Sequence, residues 1–224
     1  MINKYELEYV ASHLNFWSKL SEPEMNLLER NIAHVSYNKG LNLNSTNSEC
    51  LGVLLVKSGG LRVYILSEDG REITLYRLGP NDVCVMSASC IISNITFDVH
   101  IDAESDTDAY LINITAFSKI SAQNVYVENF TYKKTIDRFS NIMQAMEQIL
   151  FMRFDKRLAI FLLEEMTKRN STELHITQEQ IAKYIGSARE VVSRMLKVFQ
   201  TAGILEQARG SINIIDKEKL KELI

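Results

Sequence analysis

Four polar residues lie close together near the C-terminal end of the chain: Arg189, Glu190, Ser193 and Arg194. An arginine can donate two parallel hydrogen bonds to guanine O6 and N7, a glutamate can accept from cytosine N4, and a serine can bond to either kind of base edge. Their spacing places all four in the first two turns of one helix, away from its apolar side. The set therefore predicts a helix whose first turns read bases in the major groove of DNA.

The stretch Thr177–Gly203 predicts two short helices joined by a tight turn. Thr177 and Gln180 have the spacing of a capping box at the start of the first helix, and Gly186 lies where the chain must turn. We expect Ser187 to cap the second helix, which ends at Gly203. The apolar positions that these two helices are expected to bury are Ile181, Ala182, Ile185, Val191, Val192, Met195, Leu196 and Phe199.

Two strand patterns, at residues 204–207 and 211–214, follow directly around Arg209 and Gly210. They predict a hairpin, or wing, after the second helix. Arg209 at the wing tip is a candidate phosphate ligand. Thr177 and Gln178 are two more, because they open the first helix and the amides of a helix N-terminus favour an anion.

The charge is unevenly distributed along the chain. Residues 1–150 contain 12 Lys and Arg against 18 Asp and Glu, a net charge of −6, whereas residues 151–224 contain 13 against 10, a net charge of +3. The basic end is the one that carries the predicted DNA-reading residues, as phosphate binding requires. The alternative is that the four polar residues form a solvated face on an ordinary helix pair.

The segment resembles the winged helix-turn-helix of the Crp/Fnr family of bacterial transcription regulators, whose motif is commonly Ser-Arg-Glu-Thr-Val-Ser-Arg. Here residues 187–194 read Ser-Ala-Arg-Glu-Val-Val-Ser-Arg, with Ala188 inserted and Val in place of Thr. Aligned on Arg-Glu-x-x-Ser-Arg, the four polar positions match. The resemblance covers most of the chain and implies a cytoplasmic homodimer that binds a double-stranded inverted-repeat operator with TTGAT-like or GTGA-like half-sites. RNA polymerase is a further implied partner if the protein activates transcription.

Alternating apolar patterns predict several short strands in the first half of the chain. They cover residues 51–56, 61–65, 73–77, 97–102 and 109–114, with a hairpin turn at 67–70 and a further alternating pattern from Val35. Helices are predicted before them, at residues 5–14 and after the capping box at 21–24. Many short strands separated by turns predict a closed antiparallel β-roll. The resemblance implies a jelly-roll-like, cyclic-nucleotide-binding-like sensor, in which the glycines at 59, 60 and 79 match family positions.

Apolar residues then step by four and three along a predicted helix: Tyr132, Ile136, Phe139, Met143, Met146 and Leu150. This is a heptad seam. The seam either packs on its own domain or, as the resemblance implies, pairs with its twin in a parallel dimer. A second stripe of Ile142, Ala145 and Ile149 is placed to face the roll. A hinge is expected at 153–155, followed by the first helix of the DNA-binding domain at 156–168.

We therefore expect an α+β chain with three parts. A sensor β-roll with N-terminal helices covers residues 1–122, a dimerisation helix covers 123–152, and a C-terminal winged helix-turn-helix covers 153–224. A ligand in the roll would act by shifting the population of DNA-competent dimers.

The resemblance also indicates which effectors the roll does not fit. Cyclic-AMP-binding members hold the ribose with a Gly-Glu pair and the phosphate with an Arg-Ser pair, but residues 83–93 contain neither Gly-Glu nor Arg. Without a guanidinium partner, a cyclic phosphodiester loses its strongest hydrogen bonds, so cyclic AMP is not expected. Oxygen-sensing members carry an N-terminal cysteine cluster for an iron–sulfur cluster. The first cysteine here is Cys50, so that cofactor is not expected either.

The effector is otherwise open. The candidate pocket residues are Arg62, Tyr64, Arg77, Cys84, Ser87, Ser89 and Cys90. Cys84 and Cys90 are either a thiol switch or soft-metal or haem ligands, which would make the protein a redox-, metal- or haem-responsive regulator of the same family, or they are small buried residues.

Other function classes have less support. The four histidines lack metal-ligand spacing, and no nucleophile–base constellation indicates a roll-based enzyme. A module that binds protein through its winged domain is the remaining alternative. No leader or long apolar run is present, so no membrane partner is expected.

Overall fold

The computed structural model describes residues 2–43, 52–68, 70–85 and 99–224, and these divide into two compact units. The first unit holds the residues up to Ile65 together with Leu75–Ile142. The second holds Leu66–Thr74 together with Met143–Ile224. Within the described ranges, no helix is both long and apolar enough to cross a membrane.

The first 151 residues supply four α-helices and seven strands to the part of the chain that is described. The helices are α1 (Lys4–His13), α2 (Glu22–Glu29), α3 (Ile114–Ser121) and the long α4 (Val125–Phe151), and a short 3-10 helix covers Trp17–Lys19. The strands are β1 (Ile32–Tyr37), β2 (Val53–Ser58), β3 (Leu61–Leu66), β4 (Glu72–Leu78), β5 (Val83–Cys84), β6 (His100–Ala103) and β7 (Thr107–Ile112).

The strands form two sheets, one in the order β1-β7-β2-β5 and one in the order β4-β3-β6. Strand β2 is buried on both faces, which explains its unbroken apolar run. Leu54 and Val56 join a core with residues of β3 and β6, whereas Val53 and Leu55 pack with residues of the four helices. The predicted antiparallel β-roll with N-terminal helices is therefore confirmed.

Local capping decides where several elements begin and end. The Ser21 amide donates to Glu24 Oε2 at 2.7 Å, which confirms the capping box of α2. The strand predicted for residues 109–114 is wrong at its end, because β7 stops at Ile112. The side chain of Asn113 then accepts the Thr115 amide at 2.9 Å and starts α3.

The second unit contains the remaining elements after α4. They are α5 (Phe154–Arg169), β8 (Glu173–Leu174), α6 (Gln178–Ile185), α7 (Arg189–Thr201), β9 (Leu205–Ala208), β10 (Ser211–Ile214) and α8 (Lys217–Glu222). The three strands form a small antiparallel sheet in the order β8-β10-β9. The helix predicted at 156–168 is α5, and the predicted helix pair and wing are α6, α7 and the β9–β10 hairpin.

Candidate nucleic-acid interface

Helices α6 and α7 are held by one apolar core in the second unit. Ile181 of α6 and Leu196 of α7 are fully buried there, together with Leu158 and Leu162 of α5 and Leu205 of β9. The apolar residues of α6 and α7 recur at helical spacing, so each helix buries one face and leaves the other for solvent or a ligand. The core therefore fixes which side chains of α7 point outward.

The turn between α6 and α7 differs from the prediction in one respect. Gly186 ends α6 with φ +60°, a left-handed conformation that favours glycine. The Ser187 amide then donates to the Ala182 carbonyl at 2.9 Å, so Ser187 belongs to the end of α6. The N-cap of α7 is Ala188, without a side-chain cap bond, and the prediction that Ser187 caps α7 is wrong.

The predicted base-reading residues lie in the first two turns of α7. Arg189, Glu190 and Arg194 are exposed, and Ser193 is half-buried. Within the described residues, the three charged side chains make no hydrogen bond or ion pair with the rest of the chain. Their donors and acceptors are therefore available to an external partner.

A groove of about 450 Å³ brings four of the seven predicted DNA residues together. Thr177 and Gln178 line it from the start of α6, Arg189 from the start of α7, and Arg209 from the wing. Glu190, Ser193 and Arg194 do not line this groove. Glu179, an acidic residue that was not predicted to belong to the site, does line it.

The start of α6 is fixed in two ways. The Thr177 hydroxyl accepts the Gln180 amide at 3.2 Å and the Thr177 amide donates to Gln180 Oε1 at 2.9 Å, which confirms the predicted capping box. Gln178 Nε2 donates to Gln207 Oε1 at 3.1 Å, and Gln207 Nε2 donates to Gln200 Oε1 at 2.9 Å. This chain of amides links α6, the wing and α7.

Gln207 was missed at the level of sequence. The available signal is its position: it shares the inner face of β9 with the buried Leu205, because side chains two apart in a strand point the same way. A polar residue on that face needs a partner, and the glutamines of α6 and α7 provide it.

The tip of the wing is a two-residue turn. Ala208 pairs with Ser211 in the β9–β10 register, so Arg209 and Gly210 connect the strands, and Arg209 is exposed. A two-residue hairpin loop of this kind holds its strands in a fixed register. The guanidinium is thus carried at the rim of the groove by a short, defined hairpin.

Comparison with known proteins identifies the family of this fold and site. A sequence profile described as the Crp-like helix-turn-helix domain matches residues 156–223. A solved chain from Eubacterium rectale ATCC 33656, described as a transcriptional regulator of the Crp/Fnr family, is 43% identical in sequence. The match covers 95% of this chain and 98% of that chain, with a TM-score of 0.90. The chain belongs to the Crp/Fnr family.

Two further relatives agree with this assignment. The transcriptional regulatory protein Btr of Bordetella pertussis is 24% identical over 178 residues, which are 75% of this chain and 72% of the relative. The cAMP-activated global transcriptional regulator CRP of Pasteurella multocida is 24% identical over 163 residues, which are 70% and 77% of the two chains. All three similar proteins are described as transcription regulators rather than enzymes. As a Crp/Fnr member, the chain is a DNA-binding transcription regulator.

In this Crp/Fnr chain, the predicted effector residues of β3 and β4 form polar contacts on the sheet β4-β3-β6. Arg62 Nη2 lies 3.1 Å from Asp102 Oδ2, and the Tyr64 hydroxyl donates to Asp102 Oδ1 at 3.2 Å. Arg77 Nε donates to Glu104 Oε2 at 2.8 Å. Leu61 and Val63 of β3 point into the roll core, so Arg62 and Tyr64 lie on the opposite face of that strand.

Cys84 lies elsewhere, in the core of the Crp/Fnr roll. It is fully buried on β5, and its sulfur is 3.9 Å from the hydroxyl of Tyr76. The described members of the predicted pocket are therefore not all brought together: Arg62 and Tyr64 share Asp102, whereas Cys84 lies in the roll core. Ser87, Ser89 and Cys90 lie outside the described residues.

The heptad seam is exposed along α4. Six apolar side chains have from 46% to 65% of their surface accessible in the single chain: Tyr132, Ile136, Phe139, Met143, Met146 and Leu150. By contrast, Ile142 of the second stripe is half-buried and packs against the roll core, as predicted. An exposed apolar row at heptad spacing is typical of a helix that pairs with another helix.

Proposed function

We propose that the chain is a homodimeric, sequence-specific regulator that binds an inverted-repeat operator and responds to a small effector in its β-roll. The groove shared by the starts of α6 and α7 and by the wing carries this proposal. It holds Arg189 of the reading helix beside three candidate phosphate ligands, Thr177, Gln178 and Arg209. Phosphate contacts fix the register on a duplex and base contacts specify the sequence, so one groove with both kinds of group fits a reader of specific DNA.

The proposed roles divide between α7, which reads bases, and the start of α6 and the wing, which hold phosphate. Arg189, Glu190, Ser193 and Arg194 read base edges, because they lie in the leading turns of α7 and three of them are exposed. Arg209 holds phosphate, because it lies at the wing tip. Thr177 and Gln178 hold phosphate at the start of α6, where Gln178 is oriented by Gln207.

The decisive experiment is a binding series over single-base variants of an inverted repeat with TTGAT-like half-sites, at two salt concentrations. Arg189→Ala or Arg194→Ala should each cost about 1–3 kcal/mol on the matched site and relax the preference at one base pair. Arg209→Ala should weaken all sequences nearly alike and reduce the salt slope by about one unit.

Lys219→Ala is the matched control. Lys219 belongs to α8 and lies beside the C-terminal end of α7, away from the base-reading turns. Its Nζ is 3.5 Å from the Ala202 carbonyl oxygen there. The substitution removes one positive charge from the same unit, and it should leave both the base preference and the salt slope of operator binding nearly unchanged. Equal and uniform losses for Arg189→Ala and Arg209→Ala would contradict the division of roles. Unchanged binding in every variant would contradict the proposed interface.

We assign dimerisation to the seam of α4, because its six apolar residues are exposed in the single chain. A two-fold dimer presents two reading helices to half-sites roughly 34 Å apart, which explains an inverted repeat. If the protein activates transcription, RNA polymerase is the further partner.

We also propose that the effector is not cyclic AMP. Residues 83–93 contain neither the Gly-Glu pair nor the arginine that the cyclic-AMP-binding members use there. Calorimetry with cyclic AMP should therefore detect no binding of low-micromolar affinity, and a clear low-micromolar isotherm would contradict this assignment.

A further inference from the structure

One arginine of α4 is buried inside the first unit. Arg138 has only 8% of its surface exposed, whereas the other charged residues of α4 are exposed or half-buried. It lies one heptad before Ala145 and so extends the stripe that the sequence places toward the roll. The spacing could have revealed this position, but an arginine in a long helix is normally expected at the surface.

The guanidinium of Arg138 has few acceptors. Its Nη2 lies 3.4 Å from the Val83 carbonyl and 3.5 Å from Asp82 Oδ1, both at the long limit of a hydrogen bond. Its Nε is buried and has no partner within the described residues. Asp82 also accepts the Gly79 amide through Oδ2 at 2.9 Å, and its side chain is 42% exposed. A buried cation with such weak pairing is costly unless something else binds it.

The ring of a residue with a second donor, Tyr76, lies next to this arginine. The centre of the Tyr76 ring is 4.9 Å from the Arg138 guanidinium carbon. The Tyr76 hydroxyl is buried, and its hydrogen-bond partner among the described residues is the Cys84 sulfur at 3.9 Å, a weak acceptor. Burial raises the pKa of Tyr76 well above its ordinary value, so the phenol stays protonated near neutral pH and can donate.

We propose that Arg138 and Tyr76 together bind the oxyanion of a small acidic molecule, a carboxylate or a phosphate, and that this molecule is the effector. The described contacts of these two donors are long or go to sulfur. A bound oxyanion supplies stronger acceptors, because a charge-assisted bond to guanidinium is strong in a buried setting. The inference rests on the proposed control of DNA binding by a ligand in the roll. It adds that the charge of the ligand is met by α4, the helix that carries the seam.

The first test is the thermal unfolding midpoint of the full chain in sodium phosphate or sodium succinate, against sodium chloride of equal ionic strength. At least one of the two anions should raise the wild-type midpoint by about 4 °C or more at concentrations well above its dissociation constant. Which of the two acts separates phosphate from carboxylate. Arg138→Gln should abolish the rise, and Tyr76→Phe should reduce it. No rise in the wild type, or an equal rise in Arg138→Gln, would overturn the proposal.

A second test separates a binding residue from a structural ion pair, without added anion. If Arg138 is a ligand-binding residue, Arg138→Met should leave the thermal unfolding midpoint unchanged or raise it, because the substitution removes a poorly paired buried charge. If its pairing with Asp82 holds the fold together, both Arg138→Met and Asp82→Asn should lower the midpoint, and the proposal would fail.

Operator binding distinguishes this inference from the proposed function. The active anion should change the affinity of the wild type for the inverted repeat. Adding the anion to Arg138→Gln should leave the affinity of that variant for the repeat, whatever its starting value, unchanged. An anion that binds through Arg138 but leaves the operator affinity unchanged would overturn its role as effector. If the wild-type chain binds no operator, with or without the anion, the proposed function is contradicted. The thermal unfolding midpoints would still show whether Arg138 and Tyr76 bind the anion.

Discussion

At the scale of single residues, Gly59 shows how a missing side chain lets two strands approach. It lies between β2 and β3 with φ +84°, and a Cβ there would be 2.7 Å from Thr107 Cα and in clash with the Asp106 carbonyl. The buried Thr107 hydroxyl accepts the Gly60 amide at 3.0 Å. The turn is therefore held against the start of β7, and only a residue without Cβ fits.

Gly59→Ala and Gly70→Ala form a matched pair that tests this account. Gly70 also has a positive φ, +79°, but nothing lies within 4 Å of a Cβ there. Gly70→Ala should cost only the backbone strain of about 1–2 kcal/mol, whereas Gly59→Ala should cost about 1–3 kcal/mol more because of the clash. Urea unfolding followed by the fluorescence of Trp17, the one tryptophan of the chain, measures both. Equal costs would mean that the β2–β3 turn moves freely away from β7.

At the scale of elements, the two helices of the DNA-reading pair begin differently. Helix α6 begins with a capping box, in which the Thr177 hydroxyl accepts the Gln180 amide. Helix α7 begins after Ala188, with no side-chain cap. The two starts look alike in sequence, because Ser187 and Glu190 have the same spacing as Thr177 and Gln180. They differ because the Ser187 amide is used to end α6.

Thr177→Ala and Ser187→Ala should therefore have different effects on stability. Loss of the Thr177 cap should lower the unfolding free energy by about 1 kcal/mol. Ser187→Ala should change it by less than about 0.5 kcal/mol, because within the described residues the Ser187 hydroxyl makes no hydrogen bond. Urea unfolding of the DNA-free protein followed by circular dichroism gives both values. A loss from Ser187→Ala as large as that from Thr177→Ala would show that this hydroxyl caps α7 after all.

The elements that the sequence predicted well are those with strong periodicity. β3 and β4 match their predicted ranges within one residue, and α4 includes the whole predicted seam. The pairing order β1-β7-β2-β5 could not be predicted in the same way, because it joins strands far apart in the chain. The burial of Arg138 was not predicted either, because an arginine in a long helix is normally expected at the surface. Its spacing of one heptad from Ala145 is the sequence signal that indicates the buried side.

At the scale of the whole molecule, the acidic first part and the basic last part suit different tasks. The net charge of +3 over residues 151–224 favours association with DNA phosphates. The first 150 residues have a net charge of −6, so the negative charge of DNA does not attract them. One chain presents one α7, but an inverted repeat offers two equivalent half-sites. Binding of the full operator should therefore depend on dimerisation, and the exposed seam of α4 is the surface proposed for it.

The double substitution Phe139→Glu and Met146→Glu tests that dependence. Both residues are exposed apolar members of the seam, so in a parallel dimer each new carboxylate would face its own twin across a buried interface, which is strongly unfavourable. Sedimentation should then give the mass of one chain. Gln144→Glu is the control, because it adds a charge to an exposed position of the same helix outside the seam. It should leave the dimer intact.

The monomeric double variant should bind a single half-site normally but lose the additional affinity for the full operator. Its α6, α7 and wing are unchanged, so a duplex with one half-site should be bound as by the wild type. The inverted repeat should lose its advantage over that half-site, because two linked reading helices bind more tightly than one. If the double variant sediments as a dimer, the seam is not the interface. If it is monomeric and still prefers the full repeat, two-fold recognition through α4 is wrong.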